Sequence, residues 1–181
     1  MMGAWSGPLS GASPTPDDDT GCGGPMSTKI TKQMAYDAPA EAVVAMLDDV
    51  AFREEVLVRQ KVVRGSASVD GDVVRIEQVR SGHDLPSFAR KFAGDEIVVV
   101  QTETWTSPTS CDVEIAIPGK PGEAVGTIEL VESGSTTVQV VDLDLSVRIP
   151  LVGGKIEGLV AGLFSDALDV EHRVGKEWLS R

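Results

Sequence analysis

The hydrophobic pattern changes period once, and that change organises the chain. From residue 61 to residue 149 apolar side chains recur at every second position; after Pro150 they recur at every third or fourth. Ile156, Val160, Leu163, Ala167, Val170, Val174 and Trp178 fall within an arc of roughly 80° at about 100° per residue, and Leu159 and Phe164 widen it to about 140°. The other side carries Lys155, Gly158, Gly162, Ser165, Asp169, His172 and Lys176. This predicts one amphipathic helix of about 25 residues, close to 40 Å long. An apolar face of that length needs a broad apolar surface to cover.

The period-two segments supply the surface. Strands are predicted over 28–36, 61–69, 72–80, 96–106, 111–117, 124–131 and 136–149, with a hairpin signal at Asp70-Gly71 and turn signals at 107–110, 118–122 and Ser133-Gly134. The last strand alternates most cleanly: Val141, Leu143, Leu145, Val147 and Ile149 on one face, Asp142, Asp144, Ser146 and Arg148 on the other. One covered face and one wet face mark an antiparallel sheet packed on one side. Residues 81–94 form a connection with a helical turn at 87–92. After the first strand, Asp37-Ala-Pro-Ala-Glu41 reads as a helix start, with Asp37 or its neighbour as cap and Val43, Val44 and Leu47 as the apolar side. Val50, Phe52, Val56 and Leu57 predict a second short helix, whose charges Arg53, Glu54, Glu55 and Arg59 read as a solvated face.

The order is strand, two short helices, six strands, long helix. The predicted fold is α+β: a seven-stranded antiparallel sheet, curved by its own twist and wrapped on the long C-terminal helix. Residues 1–25, rich in Gly, Ser, Pro and Asp, read as a disordered tail, and Met26 reads as a natural start; residues 26–181 make one domain.

Composition narrows the function classes. Hydrophobic residues are 41% of the chain and aromatics only 4%, so the core is aliphatic. A formal net charge of -12 argues against nucleic acid and against anionic membrane surfaces. Two cysteines, Cys22 and Cys111, build no disulfide framework, which fits a cytoplasmic location. No apolar run reaches the roughly 18 residues of a membrane span.

Candidate chemistry is sparse. Val152-Gly-Gly-Lys155 lacks the spacing of a phosphate loop, and its glycines more simply permit the turn into the helix. His83 and His172 show no metal-ligand spacing, and no GxSxG elbow is present. No catalytic residue, metal or cofactor is therefore assigned. Glu171 stands about 60° from Ile156, inside the apolar arc. It is either a cavity-rim carboxylate that orients a ligand or accepts its proton, or a glutamate that snorkels out or pairs with an arginine of the sheet, which is the plainer reading. Gln101, Glu103 and Trp105 share one side of their strand with Ile97 and Val99; Val98, Val100, Thr102 and Thr104 compete to face inward. A tryptophan is rarely left exposed, which favours the Trp105 side. Arg75 and Glu77 are most simply partners in cross-strand pairs on the wet face.

The element order resembles that of the START-like superfamily (SRPBCC, the helix-grip fold of Bet v 1-like proteins and polyketide cyclases) over about residues 28–180. Phe52-Arg-Glu-Glu, LPSFARKFAGDEI at 85–97, QTETW ending at Trp105 and IPLVGGKIEG at the start of the last helix are similar to a family of uncharacterised actinobacterial proteins within it. The glycine-rich loop of plant members is absent, since only Asp70-Gly71 stands at that hairpin. The resemblance implies a deep, mostly apolar cavity between sheet and helix, in proteins that bind or carry lipids, sterols or polyketides, some of them cyclases or dehydratases. For this chain it implies a hydrophobic small-molecule ligand lined by Val141, Leu143, Leu145, Leu163, Phe164, Ala167 and Trp105, and oriented by Gln101 or Glu103. Two alternatives stay open: an enzyme using Glu103, Glu171 or Tyr36 as acid or base, and a protein-interaction module. The oligomeric state is left unassigned.

Overall fold

The computed structural model describes residues 27–181, and the period-two segments become a single seven-stranded antiparallel sheet. Its strands are β1 (Thr28–Tyr36), β2 (Arg64–Asp70), β3 (Val73–Ser81), β4 (Glu96–Ser107), β5 (Ser110–Ala116), β6 (Gly122–Ser133) and β7 (Thr136–Val147). The spatial order is β1-β7-β6-β5-β4-β3-β2, so β2 to β7 form a meander and β1 closes beside β7. Helices α1 (Ala40–Leu47) and α2 (Val50–Arg59) follow β1, α3 (Ser87–Ala93) lies between β3 and β4, and α4 (Gly153–Leu179) ends the chain. The architecture is the α+β helix-grip predicted above. The tail at 1–25 and the start at Met26 lie outside the described residues.

Local chemistry explains the elements, with corrections. β7 alternates as expected, but the inward set continues beyond Leu145, Leu143 and Val141 to Gln139 and Thr137, both fully buried. Helix α1 does not use Asp37 as a cap. Its N-cap is Pro39, which offers no side-chain acceptor, and the Ala40 N–H donates instead to Glu132 of β6 at 2.7 Å. Asp49 caps α2, accepting from the N–H groups of Ala51 and Phe52. Arg75 and Glu77 do pair on the wet face, but with each other along one strand at 2.7 Å rather than across strands. The Trp105 side of β4 is the one that turns inward: Glu103 is fully buried while Val98 is 40% exposed.

The largest correction concerns α2 and α4. Arg53 is not on a solvated face; it is 1% exposed. The buried face of α4 comprises Ile156, Glu157, Leu168, Glu171 and Val174, with Leu163 45% exposed. The helix is thus turned by about 60° from the centre of its hydrophobic arc, onto the side where Glu171 stands. Polar anchors account for the rotation. Glu157 accepts from the Val147 N–H at 2.7 Å and from the Thr28 hydroxyl at 3.0 Å, and Lys32 pairs with Asp169 at 2.8 Å. Gly175 permits close contact at the far end, where a Cβ would stand 2.8 Å from Tyr36 Cε1.

Candidate functional site: a cavity and a buried charge network

Past its first turn, where Glu157 holds it to β7 and β1, α4 stands off the sheet. The curvature of β3 to β7 leaves a mainly apolar cavity of about 230 Å³. Leu145 and Ile115 line its floor, Ile156, Val160 and Phe164 its roof, and Ala89 and Phe92 of α3 one side. A few polar groups, notably Gln60, Gln78, Arg80, Gln101 and Glu171, also reach it. Apolar walls with a few orienting groups are the usual construction of a small-molecule site.

Of the residues singled out from sequence, Gln101, Leu145, Leu163, Phe164, Ala167 and Glu171 line this cavity. Val141 and Leu143 do not; at 2% and 1% exposure they belong to the packed core. Trp105 also lies elsewhere, packed against the cluster of Leu57, Val74 and Ile76. Glu103 stands behind the lining, in a buried polar network.

That network joins six elements. The Arg53 guanidinium of α2 donates to Glu103 of β4 and, at 3.4 Å, to Glu171 of α4, while its Nε donates to the Leu47 carbonyl at 2.7 Å. Gln101 donates to Glu103 at 2.6 Å; Gln139 of β7 donates to Glu171 at 3.4 Å and accepts from the Tyr36 hydroxyl of β1 at 3.2 Å. One cation thus serves two carboxylates, and both ends of the chain of contacts are tied down.

Burial sets the electrostatics. It pushes the Glu103 carboxyl above its ordinary range, and the Glu171 charge adds to this; Arg53 opposes the shift without reversing it. Burial also works against the Arg53 charge, but Glu103 and Glu171 outweigh it and hold the proton more firmly than usual. The Tyr36 phenol is raised far from its ordinary value, by burial first and the Glu171 charge second. Cys111 beside them is pushed up to about 12 by burial and by Glu103, which makes it a poor nucleophile.

Four polar residues of the site, Arg53, Gln60, Gln78 and Arg80, escaped sequence reasoning although signals existed. On α2, taking Phe52 as zero, Val56 falls at about 40° and Leu57 at about 140°; Arg53, at about 100°, and the C-cap residue Gln60, at about 80°, lie between them. On β3, Gln78 and Arg80 share the parity of buried Val74 and Ile76.

Among the described residues no helix is long and apolar enough to cross a membrane. Comparison with solved structures finds the same fold. Zhui aromatase/cyclase from Streptomyces matches with TM-score 0.64 and 10% identity over 86% of this chain and 95% of its own. A Thermus thermophilus protein matches with TM-score 0.61 and 18% identity over 84% and 97%. A START superfamily protein from Mycobacterium smegmatis gives 0.54 and 14% over 84% and 97%. Among curated sequences, uncharacterised proteins of Mycobacterium tuberculosis and Mycobacterium bovis are 30% identical over 127 residues, 65% of this chain and 72% of theirs. The family model described as a protein of unknown function (DUF2505) matches residues 31–179, and the chain belongs to that family, with the START-like helix-grip fold.

Proposed function

We propose that the protein binds or carries a hydrophobic, lipid- or polyketide-like small molecule between the sheet and α4. The observation that carries this reading is the cavity itself: about 230 Å³ of mainly apolar space left open beneath a helix that packs closely at its other end. Apolar ligand surface removed from water there contributes about 25 cal/mol per Å². Of the residues expected from sequence, Gln101 and Glu171 are polar groups at the lining that reach the bound molecule, with Leu145, Leu163, Phe164 and Ala167 as apolar contacts.

A second reading rests on one observation, the convergence of Glu103 and Glu171 on Arg53 beside the cavity. A cyclase- or dehydratase-type reaction would need such an ionisable group, and a fold relative is an aromatase/cyclase. The first reading is favoured because Glu103 is fully buried and already satisfied by Arg53 and Gln101.

The test uses a neutral fluorescent probe, N-phenyl-1-naphthylamine, with native mass spectrometry of solvent-extracted material. The wild type is expected to take up the probe with enhanced emission. Ala167→Trp, which fills the cavity, is expected to abolish uptake while keeping its circular dichroism spectrum. A wild type that takes up no probe and releases no bound molecule, or an Ala167→Trp variant that binds as well as the wild type, would overturn the reading.

A further inference from the structure

The charges around the cavity are unevenly satisfied. Two carboxylates line it, and both are committed: Glu171 to Arg53, and Glu123 to Arg148 at 2.7 Å. Two cations also line it, Arg80 and Lys120, and neither forms an ion pair with any carboxylate among the described residues. In a chain with a formal net charge of -12, acidic partners are plentiful, so a half-buried arginine without one is unusual.

Arg80 is nonetheless held in place. Its Nε donates to the Gln78 amide oxygen at 2.9 Å, and one terminal nitrogen donates to the Gln60 amide oxygen at 2.6 Å. Gln60 is itself fixed, its amide N–H donating to the Ala167 carbonyl of α4 at 3.1 Å. Both acceptors are neutral. They orient the guanidinium without cancelling its charge, and they use two of its five N–H groups. Its other terminal nitrogen has no hydrogen-bond partner and is not buried, so the two N–H groups it carries open onto accessible space. Burial with no counter-charge lowers the Arg80 pKa, the opposite of what Glu103 and Glu171 do to Arg53.

We infer that Arg80 is an anion-recognition residue and that the ligand is amphipathic, an apolar chain ending in a carboxylate that the Arg80 guanidinium receives inside the cavity. The inference rests on the hydrophobic-ligand reading and adds the chemistry of the polar end. An acceptor with two oxygens matches the planar fork of the guanidinium. Lys120, at the turn between β5 and β6, adds a second positive charge at the rim.

The experiment compares dodecanoate with dodecanol, both below their aggregation limits, as competitors of N-phenyl-1-naphthylamine. In the wild type, dodecanoate is expected to displace the probe at a concentration about tenfold lower than dodecanol, the gain of one charge-assisted contact. Arg80→Gln should bring the two ligands level by weakening dodecanoate alone, and Arg80→Lys should keep part of the preference. Arg64→Gln, which removes a cation paired with Glu96 outside the cavity lining, should keep all of it. Equal displacement by both ligands in the wild type, or an undiminished preference in Arg80→Gln, would overturn the role of Arg80 while leaving cavity binding intact. Failure of the wild type to bind the probe and both competitors would instead remove the hydrophobic-ligand reading, and this inference with it.

Discussion

The two halves of α4 lie on the same sheet and meet it in opposite ways. The C-terminal half closes. Val174 is fully buried, Gly175 lets the helix approach Tyr36, and Glu171 joins Arg53, Glu103 and Gln139 in a network whose members satisfy one another. The N-terminal half meets the sheet only at its first turn, through Ile156 and Glu157, and then stands off. Leu163 remains 45% exposed, a cavity opens beneath the helix, and Arg80 has only neutral partners. Two buried or half-buried arginines therefore carry different meanings. One has its charge matched and builds the fold; the other is held in position with its charge unmatched, which is the condition of a group that waits for a ligand.

The strongest test of this contrast removes each arginine. Arg53→Ala leaves two carboxylates beside one another without a cation, and loss of one partner from a buried ion pair costs about 3–5 kcal/mol. Arg80→Gln removes a charge that burial already disfavours, so its stability should stay within about 1 kcal/mol of the wild type. Urea denaturation midpoints at neutral pH measure both. Similar losses in the two variants would erase the distinction between a structural and a receptive arginine.

How far these halves were legible follows from what pattern reading can see. The alternation of Val141, Leu143 and Leu145, the hairpin at Asp70-Gly71 and the period change after Pro150 are local and hydrophobic, and they led to the correct element order. The orientation of α4 was not available by that route. A hydrophobic arc places the helix by its apolar residues alone, but Glu157 and Glu171 are buried by partners from other elements, and these turn the helix. Arg53 meets Glu103 and Glu171 at sequence separations of 50 and 118 residues, so no local rule joins them. Its angular position between Val56 and Leu57 was visible; the assumption that a charge on a short helix faces water hid it. Arg80 was legible by strand parity alone, since it follows Val74, Ile76 and Gln78 on the inward side.

A pH series sharpens the comparison from the closed half. Burial raises the Glu103 pKa in the folded state, so over the range above the ordinary carboxylate value of 4.5 the folded protein holds a proton that the unfolded chain has released. Unfolding releases that proton, so the contribution of Glu103 to stability falls as pH rises from about 4.5 towards its folded pKa, and is level on either side. Glu103→Gln keeps the amide oxygen as an acceptor for Arg53 and removes the titration. The difference in unfolding free energy, variant minus wild type, should therefore increase with pH through that window. A difference that decreases with pH would mean that Arg53 outweighs burial and holds Glu103 ionised.

Glycines along α4 probe the closed end with the smallest perturbation available, a single methyl group. Alanine favours a helix interior over glycine by about 0.5–1 kcal/mol, and this gain applies at every internal position of α4. At Gly162, on the exposed face of α4, an added Cβ meets nothing within 4 Å, so Gly162→Ala should stabilise the protein by about that amount and serves as the solvent-face reference. At Gly175 the same Cβ would stand 2.8 Å from Tyr36 Cε1 and 3.2 Å from Met46 Sδ. The Tyr36 ring is fully buried and its hydroxyl is tied to Gln139, so it has little room to retreat. Overpacking of this kind costs about 1–3 kcal/mol and reverses the helical gain. Thermal unfolding of the two variants should move in opposite directions, Gly162→Ala upward and Gly175→Ala downward. If Gly175→Ala were as stabilising as Gly162→Ala, α4 would not be packed closely against Tyr36 and Met46, and the closed end of the comparison would be lost.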